Sequence, residues 1–306
     1  APALTAHKDW LFMAWKGSGN DAISVARVQA TTLFGLDGVE GVQDKVILTE
    51  NTDAAPALAS NNGRLFLAWR GPGNPQLNLA LSDDDGRTFR LKATFDDSSN
   101  HAPALAAHNG KLYLAWTGRG NEKLNVARVV LLGNTAGALR LVLEDKVVLG
   151  GTSSTAPALA SHNGRLFIAW KGSGNNQLNL AFSDDDGHSF KGTRTFDESS
   201  ELAPALTSHN GRLYLSWVGR GNKKLNVTRV TLFGNTAGGF GIEGLEGKVV
   251  LEETSTEPPT LGSWNGLLAL AWKGEGKDLL NVRISRDGSF QTPGPWLFRD
   301  LSNFGF

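Results

Sequence analysis

A tryptophan, two glycines and an asparagine recur at fixed spacing along this chain, and their chemistry suits the binding of sugars. The pattern W-x-G-x-G-N first occurs in LFMAWKGSGN and returns five times, the last as LALAWKGEGK, in which Lys277 replaces the asparagine. An aromatic face packs against the C–H groups of a sugar ring, and carboxamides donate to and accept from its hydroxyls. The candidate aromatic residues are Trp15, Trp69, Trp116, Trp170, Trp217 and Trp272. The candidate loop asparagines are Asn20, Asn74, Asn121, Asn175 and Asn222.

Two further sets of polar residues accompany this pattern. The segment after the loop repeats a second asparagine, at Asn78, Asn125, Asn179 and Asn226. Candidate cations lie beside the tryptophan or inside the loop, at Arg70, Arg119, Lys171 and Arg220. Because the position after the tryptophan varies among Lys, Arg, Thr and Val, the same charged ligand is not expected at every copy.

Candidate catalytic groups are harder to find. Hydrolysis of a glycosidic bond requires two carboxylates that face one sugar. The available carboxylates, Asp96, Asp97, Asp197, Glu198 and Glu201, recur from repeat to repeat, whereas a catalytic centre in a ring of repeats should break the symmetry. No Ser-His-Asp set, metal-spaced histidine pair or phosphate-binding glycine loop stands out. The sequence therefore predicts no catalytic residues, no metal site and no cofactor.

Composition excludes several classes of function. The 306 residues carry 30 basic and 30 acidic side chains, which gives no electrostatic case for nucleic acid or an acidic membrane surface as a partner. No cysteine is present, so disulfides and thiolate metal sites are excluded. No apolar run is long enough to cross a membrane as a helix. We expect a soluble protein that is extracellular or secreted and has glycans or glycoconjugates on cell surfaces as partners.

Six internal repeats carry the motif. The markers APAL, and finally PPTL, divide the chain into 1–54, 55–101, 102–155, 156–202, 203–257 and 258–306. Long and short repeats alternate, so three double units of two related modules describe the chain better than six equal ones. This alternation favours three sites of one kind, or two kinds in threes, over six identical sites. Two insertions in the long repeats, 131–140 and 232–241, have no role that the sequence explains.

Each repeat predicts four short strands. Asn-Gly turns such as SHNG separate the first two, and runs such as RLFIAW and QLNLAFS flank the W-x-G-x-G-N loop. Six such modules predict an all-β fold, a single six-bladed β-propeller of four-stranded antiparallel blades in a pseudo-threefold arrangement. A β-solenoid is the alternative. Because LFRDLSNF (297–304) resembles the segment before each APAL, we expect the ring to close with abutting termini.

Two octapeptides link the chain to a known family. SDDDGRTF (82–89) and SDDDGHSF (183–190) fit the pattern S-x-D-x-G-x-[TS]-[WF], and SRDGSF (285–290) is a shortened copy. They resemble the Asp-boxes of sialidase-like propellers and of bacterial neuraminidase-type repeats. The resemblance implies a structural role for Asp84, Asp185 and Asp287, whose carboxylates should accept hydrogen bonds from turn backbone. It also implies that the W-x-G-x-G-N loops lie on the opposite, functional face.

The resemblance further implies a set of catalytic residues, and this sequence does not support that set. Sialidases use a tyrosine nucleophile paired with a glutamate, an acid/base aspartate and three arginines that hold the substrate carboxylate. The only tyrosines, Tyr113 and Tyr214, occupy a position where other copies carry phenylalanine, which is typical of packing. The histidines His108, His162 and His209 lie in Asn-Gly turns, which predicts a place on the turn surface.

These observations predict a multivalent, non-catalytic carbohydrate-binding protein, similar in layout to bacterial and fungal propeller lectins. Multivalent display would turn weak single sites into avid binding. A sialidase-like glycoside hydrolase is the first alternative, and a protein-interaction or toxin-associated ring is the second. The motif residues also fit a scaffold, in which the tryptophan wedges two blades apart and the asparagines close hairpins.

Overall fold

Each blade is built from consecutive antiparallel strands. In the computed structural model, the structure describes residues 1–33, 36–133, 138–235, 239–276 and 279–290. The first three blades contain β1 (Ala3–His7), β2 (Trp10–Lys16), β3 (Ala22–Leu33), β4 (Leu36–Asn51), β5 (Ala57–Asn61), β6 (Arg64–Arg70), β7 (Gln76–Ser82), β8 (Arg90–Ser98), β9 (Ala104–His108), β10 (Lys111–Thr117), β11 (Lys123–Gly133) and β12 (Leu139–Thr152).

The second half of the chain repeats this order. The remaining strands are β13 (Ala158–His162), β14 (Arg165–Lys171), β15 (Gln177–Ser183), β16 (Lys191–Ser199), β17 (Ala205–His209), β18 (Arg212–Val218), β19 (Lys224–Asn235), β20 (Gly239–Thr254), β21 (Thr260–Trp264), β22 (Leu267–Lys273) and β23 (Leu280–Ser285). Neighbours in sequence pair as neighbours in each sheet, and the sixth sheet has three strands within the described ranges. The predicted fold class, a six-bladed propeller, is confirmed.

Local turn chemistry fixes the first hairpin of five blades. At Asn163 and Gly164 both φ angles are positive, +46° and +71°, which is the geometry of a type I′ turn. His162 pairs with Arg165 across this turn, and the register then continues to Ala158 and Ala169. Positive φ also occurs at the Asn-Gly pairs that begin at Asn62, Asn109, Asn210 and Asn265.

The core lies between the blades. Leu65, Leu67 and Trp69 of β6 pack toward the first blade. Phe66 and Ala68 of the same strand pack toward the third. Each blade buries both of its faces in this way, which is why the central residues of each second strand, such as Leu65–Trp69, are apolar on both faces.

The ring closes through side-chain packing between the first and last blades. Strand β1 contacts β21, just as β1 contacts β5 and β5 contacts β9. Leu11 and Met13 share a buried cluster with Ala269 and Ala271. The termini predicted to abut include 297–304, which lie outside the described residues.

The outer strands follow a threefold pattern. Contacts join β8 to β12, β16 to β20 and β23 to β4, so each even blade is paired at its rim with the following odd blade. The two insertions of unknown role lengthen the β11–β12 and β19–β20 hairpins, whose registers reach Gly133–Leu139 and Asn235–Gly239. Segment 134–137 and residues 236–238 lie outside the described residues. No helix long and apolar enough to cross a membrane occurs among the described residues.

A channel follows the ring axis. The six APAL-type segments, from Ala1–Leu4 to Pro258–Leu261, line a cavity of about 150 Å³. Its walls are alanine, proline and leucine side chains with a single threonine, Thr260. The channel wall therefore offers few polar side chains.

Candidate functional site

The W-x-G-x-G-N loops and the connections between blades form one face of the ring, here called the loop face. The amide of Thr52, in the connection after β4, donates to the carbonyl of Asp21 in the loop of the same blade at 2.9 Å. The amide of Arg119 donates to the carbonyl of Ser98 in the preceding blade at 3.1 Å. Such bonds link loops and connections within a blade and between neighbouring blades. The Asn-Gly turns and the S-x-D-x-G turns lie on the opposite side, the turn face.

The loop asparagines close their own hairpins. In all five, the side-chain oxygen accepts the backbone amide two residues later at 3.0–3.3 Å. Asn175 also donates to the side chain of Gln177 at 3.0 Å. The five are Asn20, Asn74, Asn121, Asn175 and Asn222, and all five are exposed. These hydrogen bonds show that the asparagines close the turns, whereas their contact with a glycan stays a prediction.

This turn explains both glycines of the motif. A Cβ at Gly172 would lie 2.4 Å from the side-chain oxygen of Asn175. Gly174 has a φ of +90°, in the left-handed region that favours glycine. The motif is therefore a hairpin in which the first glycine makes room for the asparagine and the second makes the turn.

The asparagines of the third strand occupy a bulge. Asn78, Asn125, Asn179 and Asn226 are 3–7% exposed. Each donates to the carbonyl two residues earlier at 2.9–3.1 Å, where the pairing with the fourth strand shifts register. Asn179 also accepts from Thr195 at 2.6 Å. With both ends of the carboxamide engaged inside the blade, these residues contribute to the scaffold, and their contact with a sugar stays a prediction.

The tryptophans lie between blades. Trp69, Trp116, Trp170, Trp217 and Trp272 are 1–4% exposed, and Trp15 is half-buried. A lysine of the fourth strand covers four of the rings, with the ammonium 5.1–5.6 Å from the ring centroid at Trp15, Trp69, Trp116 and Trp217. At Trp170, Gly151 approaches the ring instead, and a Cβ there would lie 2.9 Å from it. The buried rings leave little aromatic surface for the predicted sugar stacking, which no observation tests.

Several predicted carboxylates serve ion pairs between blades. Asp97 pairs with Lys146 of the next blade. Glu198 pairs with Lys248 at 2.6 Å. These lysines are the same ones that cover Trp116 and Trp217. The carboxylates at the outer rim are thus already partnered with cations of the blade interface.

The connections between blades contain a feature that the motif search did not include. A buried serine or threonine, 0% exposed, follows the last strand of each of five blades. Its hydroxyl accepts the amide two residues later, as at Ser255, whose oxygen accepts the amide of Glu257 at 3.1 Å. The five are Thr52, Ser99, Ser153, Ser200 and Ser255. Aligning the repeats on APAL would have revealed them, since the hydroxyl lies three residues before each APAL.

A charged cluster on the loop face breaks the repeat symmetry. It contains Glu122, Lys171, Glu201, Arg220 and His101, and is called here the Lys171 cluster. Lys171 is only 6% exposed, and its ammonium donates to the hydroxyl of Ser154 at 2.5 Å. Burial lowers the pKa of Lys171, while the carboxylates of Glu122 and Glu201 oppose that shift and Arg220 adds to it.

The two carboxylates of the cluster come from different elements. Glu122 lies in the loop of the third blade and accepts from the hydroxyl of Ser173 in the loop of the fourth. Glu201 lies in the connection that leaves the fourth blade, 3.6 Å from the Arg220 guanidinium. The side chains of Glu201 and Arg220 are 69% and 53% exposed, so a ligand on the loop face can reach them.

His101 and Arg70 extend the cluster toward the second blade. Burial, with added repulsion from Arg70 and Lys171, lowers the pKa of His101, and Glu122 opposes the shift. Arg70 itself pairs with Asp53 at 2.5 Å. Arg119, the remaining candidate cation, is exposed in the loop of the third blade.

Single charges of the Lys171 cluster recur in other blades, since Lys16, Arg70 and Lys273 occupy the position of Lys171. The position of Glu122 is occupied elsewhere by Asp21, Pro75, Asn176 and Lys223. The position of Glu201 is occupied by Asp53, Asn100, Ser154 and Thr256. The scaffold keeps its symmetry, whereas the charges at these positions vary from blade to blade. The sequence already predicts this variation beside the tryptophan, and the structure adds that Lys171 is the only lysine buried among the described residues.

The tyrosines and turn histidines lie on the turn face. The hydroxyl of Tyr113 donates to the carbonyl of Asp186 at 2.6 Å, and burial raises the pKa of Tyr113 to about 12. Such a phenol, on the side away from the loops, is unsuited to act as a nucleophile there.

The predicted surface position of the histidines is wrong. His108, His162 and His209 are 2–4% exposed. Each places Nδ1 2.8–2.9 Å from a serine hydroxyl of the next blade. A ring that bridges two blades loses its solvent access, which local turn chemistry cannot reveal.

The S-x-D-x-G turns make the hydrogen bonds expected of their residues. Asp185 accepts from the amide and hydroxyl of Ser189 at 2.9 and 2.6 Å and from Ser183 at 2.7 Å. Although burial opposes it, these bonds lower the pKa of Asp185 to about 2. Their identification as Asp-boxes stays a prediction. No cluster of three or more potential metal ligands occurs in the described part of the chain.

Comparisons with known proteins place the architecture among carbohydrate-active enzymes. No protein-family model and no curated protein matches the chain. A Hadza microbial sialidase, Hz136, superposes with a TM-score of 0.62 at 14% identity over 93% of this chain and 65% of its own. NanB gives 0.63 at 6% identity over 89% and 64%. The α-L-arabinofuranosidase Arb93A of Fusarium graminearum gives 0.59 at 11% identity over 93% and 92%.

These likenesses correct one prediction. The chain was expected not to be an enzyme, and this expectation is contradicted by the similar structures, which include a sialidase and an arabinofuranosidase. The chain spans slightly less than two thirds of the length of both sialidase structures. At these identities the likeness concerns architecture, and it shows a sialidase-like fold.

Proposed function

We propose that this chain is a glycoside hydrolase of sialidase-like fold that acts at the Lys171 cluster. The observation that carries the proposal is an asymmetry there: Lys171 is the only buried lysine among the described residues, and the carboxylates of Glu122 and Glu201 act on it from neighbouring elements of the loop face. One substrate needs one asymmetric site assembled from several blades. Similar structures that bear the names of glycoside-cleaving enzymes support the same reaction class.

Four members of the cluster have a role in this proposal. Glu122 and Glu201 provide the two carboxylates that glycoside hydrolysis requires, one as acid and one as base or nucleophile. Lys171, whose ammonium is buried and donates to Ser154, supplies a positive charge that orients both carboxylates. Arg220, which is half exposed beside Glu201, is placed to bind an acidic group or hydroxyls of the sugar.

The experiment measures release of 4-methylumbelliferone from a panel of glycosides of sialic acid, arabinofuranose, xylose, galactose and glucuronic acid. For any substrate that is cleaved, Glu122→Gln and Glu201→Gln should each lower kcat/KM by about 100-fold or more. Glu275→Gln is the matched control, because Glu275 lies in the loop of the sixth blade and pairs with Lys223. Its activity should equal that of the wild type.

Two outcomes would contradict the proposal. One is turnover that survives in both glutamine variants, which would move the reaction to other residues. The other is glycan binding without turnover of any substrate in the panel.

A further inference from the structure

A cavity lies on the turn face between the second and third blades. The equivalent place between the fourth and fifth blades is filled by a side chain. The cavity measures about 210 Å³ and is lined by Arg64 and Phe66 of β6, Leu112 of β10, Arg128 of β11 and Leu141 of β12, among others. A shift of 101 residues along the chain converts these to Arg165, Phe167, Leu213, Arg229 and Ile242 in the fourth and fifth blades.

In the fourth and fifth blades an aromatic ring occupies this place. The guanidinium of Arg165 lies 3.6 Å from the ring centroid of Phe240. The same ring packs edge-on against Phe182 at 4.7 Å and against Phe167 at 6.3 Å. Phe240 thus stacks on a cation and closes the space between the two blades.

The second and third blades lack that ring. Phe240 pairs with Gly234 in its hairpin, and Leu139 pairs with Gly133 in the same register. Leu139 is 42% exposed, so its side chain does not fill the space between the blades. Leu81 replaces Phe182 as well, which removes a second aromatic ring from this region.

As a result, no aromatic ring of the described residues stacks on the Arg64 guanidinium. Among the described residues, it has no ion pair, hydrogen bond or ring contact, whereas Lys111 and Arg128 at the same cavity pair with Asp186, Glu144 and Asp145. A cation that faces an apolar wall formed by Phe66, Leu112 and Leu141 attracts a planar π system, because the ring face is negative and its edges are apolar.

We propose that this cavity is a binding site for a small planar aromatic ligand, which stacks on Arg64 as Phe240 stacks on Arg165. The volume is sufficient, since an apolar cavity of about 150 Å³ already holds benzene. The site lies on the turn face, away from the Lys171 cluster, and does not depend on the proposed function.

The experiment follows the binding of 4-fluorophenol by 19F NMR, with cyclohexanol as a competitor of similar size that has no π face. Wild-type protein should bind one equivalent at millimolar concentration, and cyclohexanol should displace it only weakly. Leu139→Phe should fill the site and weaken binding by about tenfold, equivalent to the loss of a cation–π contact with its apolar packing. Phe240→Ala should open the counterpart and raise the stoichiometry from one to two.

Three results would overturn the proposal: unchanged binding in Leu139→Phe, equal competition by cyclohexanol, or no binding at about 10 mM ligand, which corresponds to less than about 3 kcal/mol. If Phe240→Ala does not fold, the Leu139→Phe variant and the competitor still decide the question, since Leu139 is on the surface.

Discussion

Replacing Gly172 by alanine tests whether the loop asparagine is a structural group or a free ligand. The added Cβ would lie 2.4 Å from the side-chain oxygen of Asn175, so the carboxamide must rotate away. That movement breaks two hydrogen bonds, one of 3.1 Å from the amide of Gln177 and one of 3.0 Å to its side chain. At about 0.5–1.5 kcal/mol for each bond, the free energy of unfolding should fall by about 1–3 kcal/mol.

A double-mutant cycle isolates this contact. Asn175→Ala removes the same two bonds and should lower the free energy of unfolding by about 1–2 kcal/mol. In the double variant the clash disappears with the carboxamide, so the combined loss should be smaller than the sum by about 1 kcal/mol. Gly150→Ala is the control, because nothing lies within 4 Å of its added Cβ, and it should change stability by less than about 0.5 kcal/mol.

Guanidinium chloride unfolding, followed by tryptophan fluorescence, measures the midpoint and slope for the wild type and the four variants. The reasoning is refuted if both single variants match the wild type, or if their losses simply add. Either result would mean that Asn175 is not held by the turn and that its carboxamide is available to a ligand.

Three further predictions use the same unfolding assay. Trp217→Ala should lower the free energy of unfolding by about 3–5 kcal/mol because the ring is buried between blades, whereas Trp10→Ala, at a ring 39% exposed, should have a much smaller effect. Burial lowers the pKa of His162, so folding favours its neutral form. The contribution of His162 to the free energy of unfolding is complete above about pH 6.5 and is lost as the pH falls below it. His162→Asn, which copies Asn61, should therefore reduce the loss of stability measured between about pH 7 and pH 5. The pKa of Asp185 is about 2, so its contribution to the free energy of unfolding is present above the ordinary pKa of an aspartate and is lost as the pH falls toward 2. Asp185→Asn should flatten the acid side of the stability–pH curve, and an unchanged acid side would contradict this assignment.

Much of the fold follows from local sequence. Asn163 and Gly164 specify a type I′ turn by themselves, and Leu65 to Trp69 are apolar at every position because both faces of a blade are covered. A repeat of such hairpins can bury its surfaces only against copies of itself. The number of blades is therefore readable from spacing alone, whereas the choice of the functional face was implied by the resemblance to Asp-box propellers.

The candidate site was less predictable. The search for repeated residues selected Trp170 and Asn175, which the structure uses for blade packing and turn closure. Glu122 was not selected, because it belongs to no repeated pattern and gains its meaning only beside Lys171. A search for symmetry finds scaffold, since every blade needs the same scaffold.

Sequence alone determined the strands, the turns and the ring, since hydrogen bonding and side-chain alternation act between near neighbours. Tertiary structure alone decided which groups lie together and which are buried. His162 became an interior group because Ser208 lies against it from the next blade. Lys171 became the centre of a charged cluster because Glu122 and Glu201, 79 residues apart in sequence, meet beside it. Electrostatic and packing energies depend on distance in space, and that distance exists only once the ring has closed.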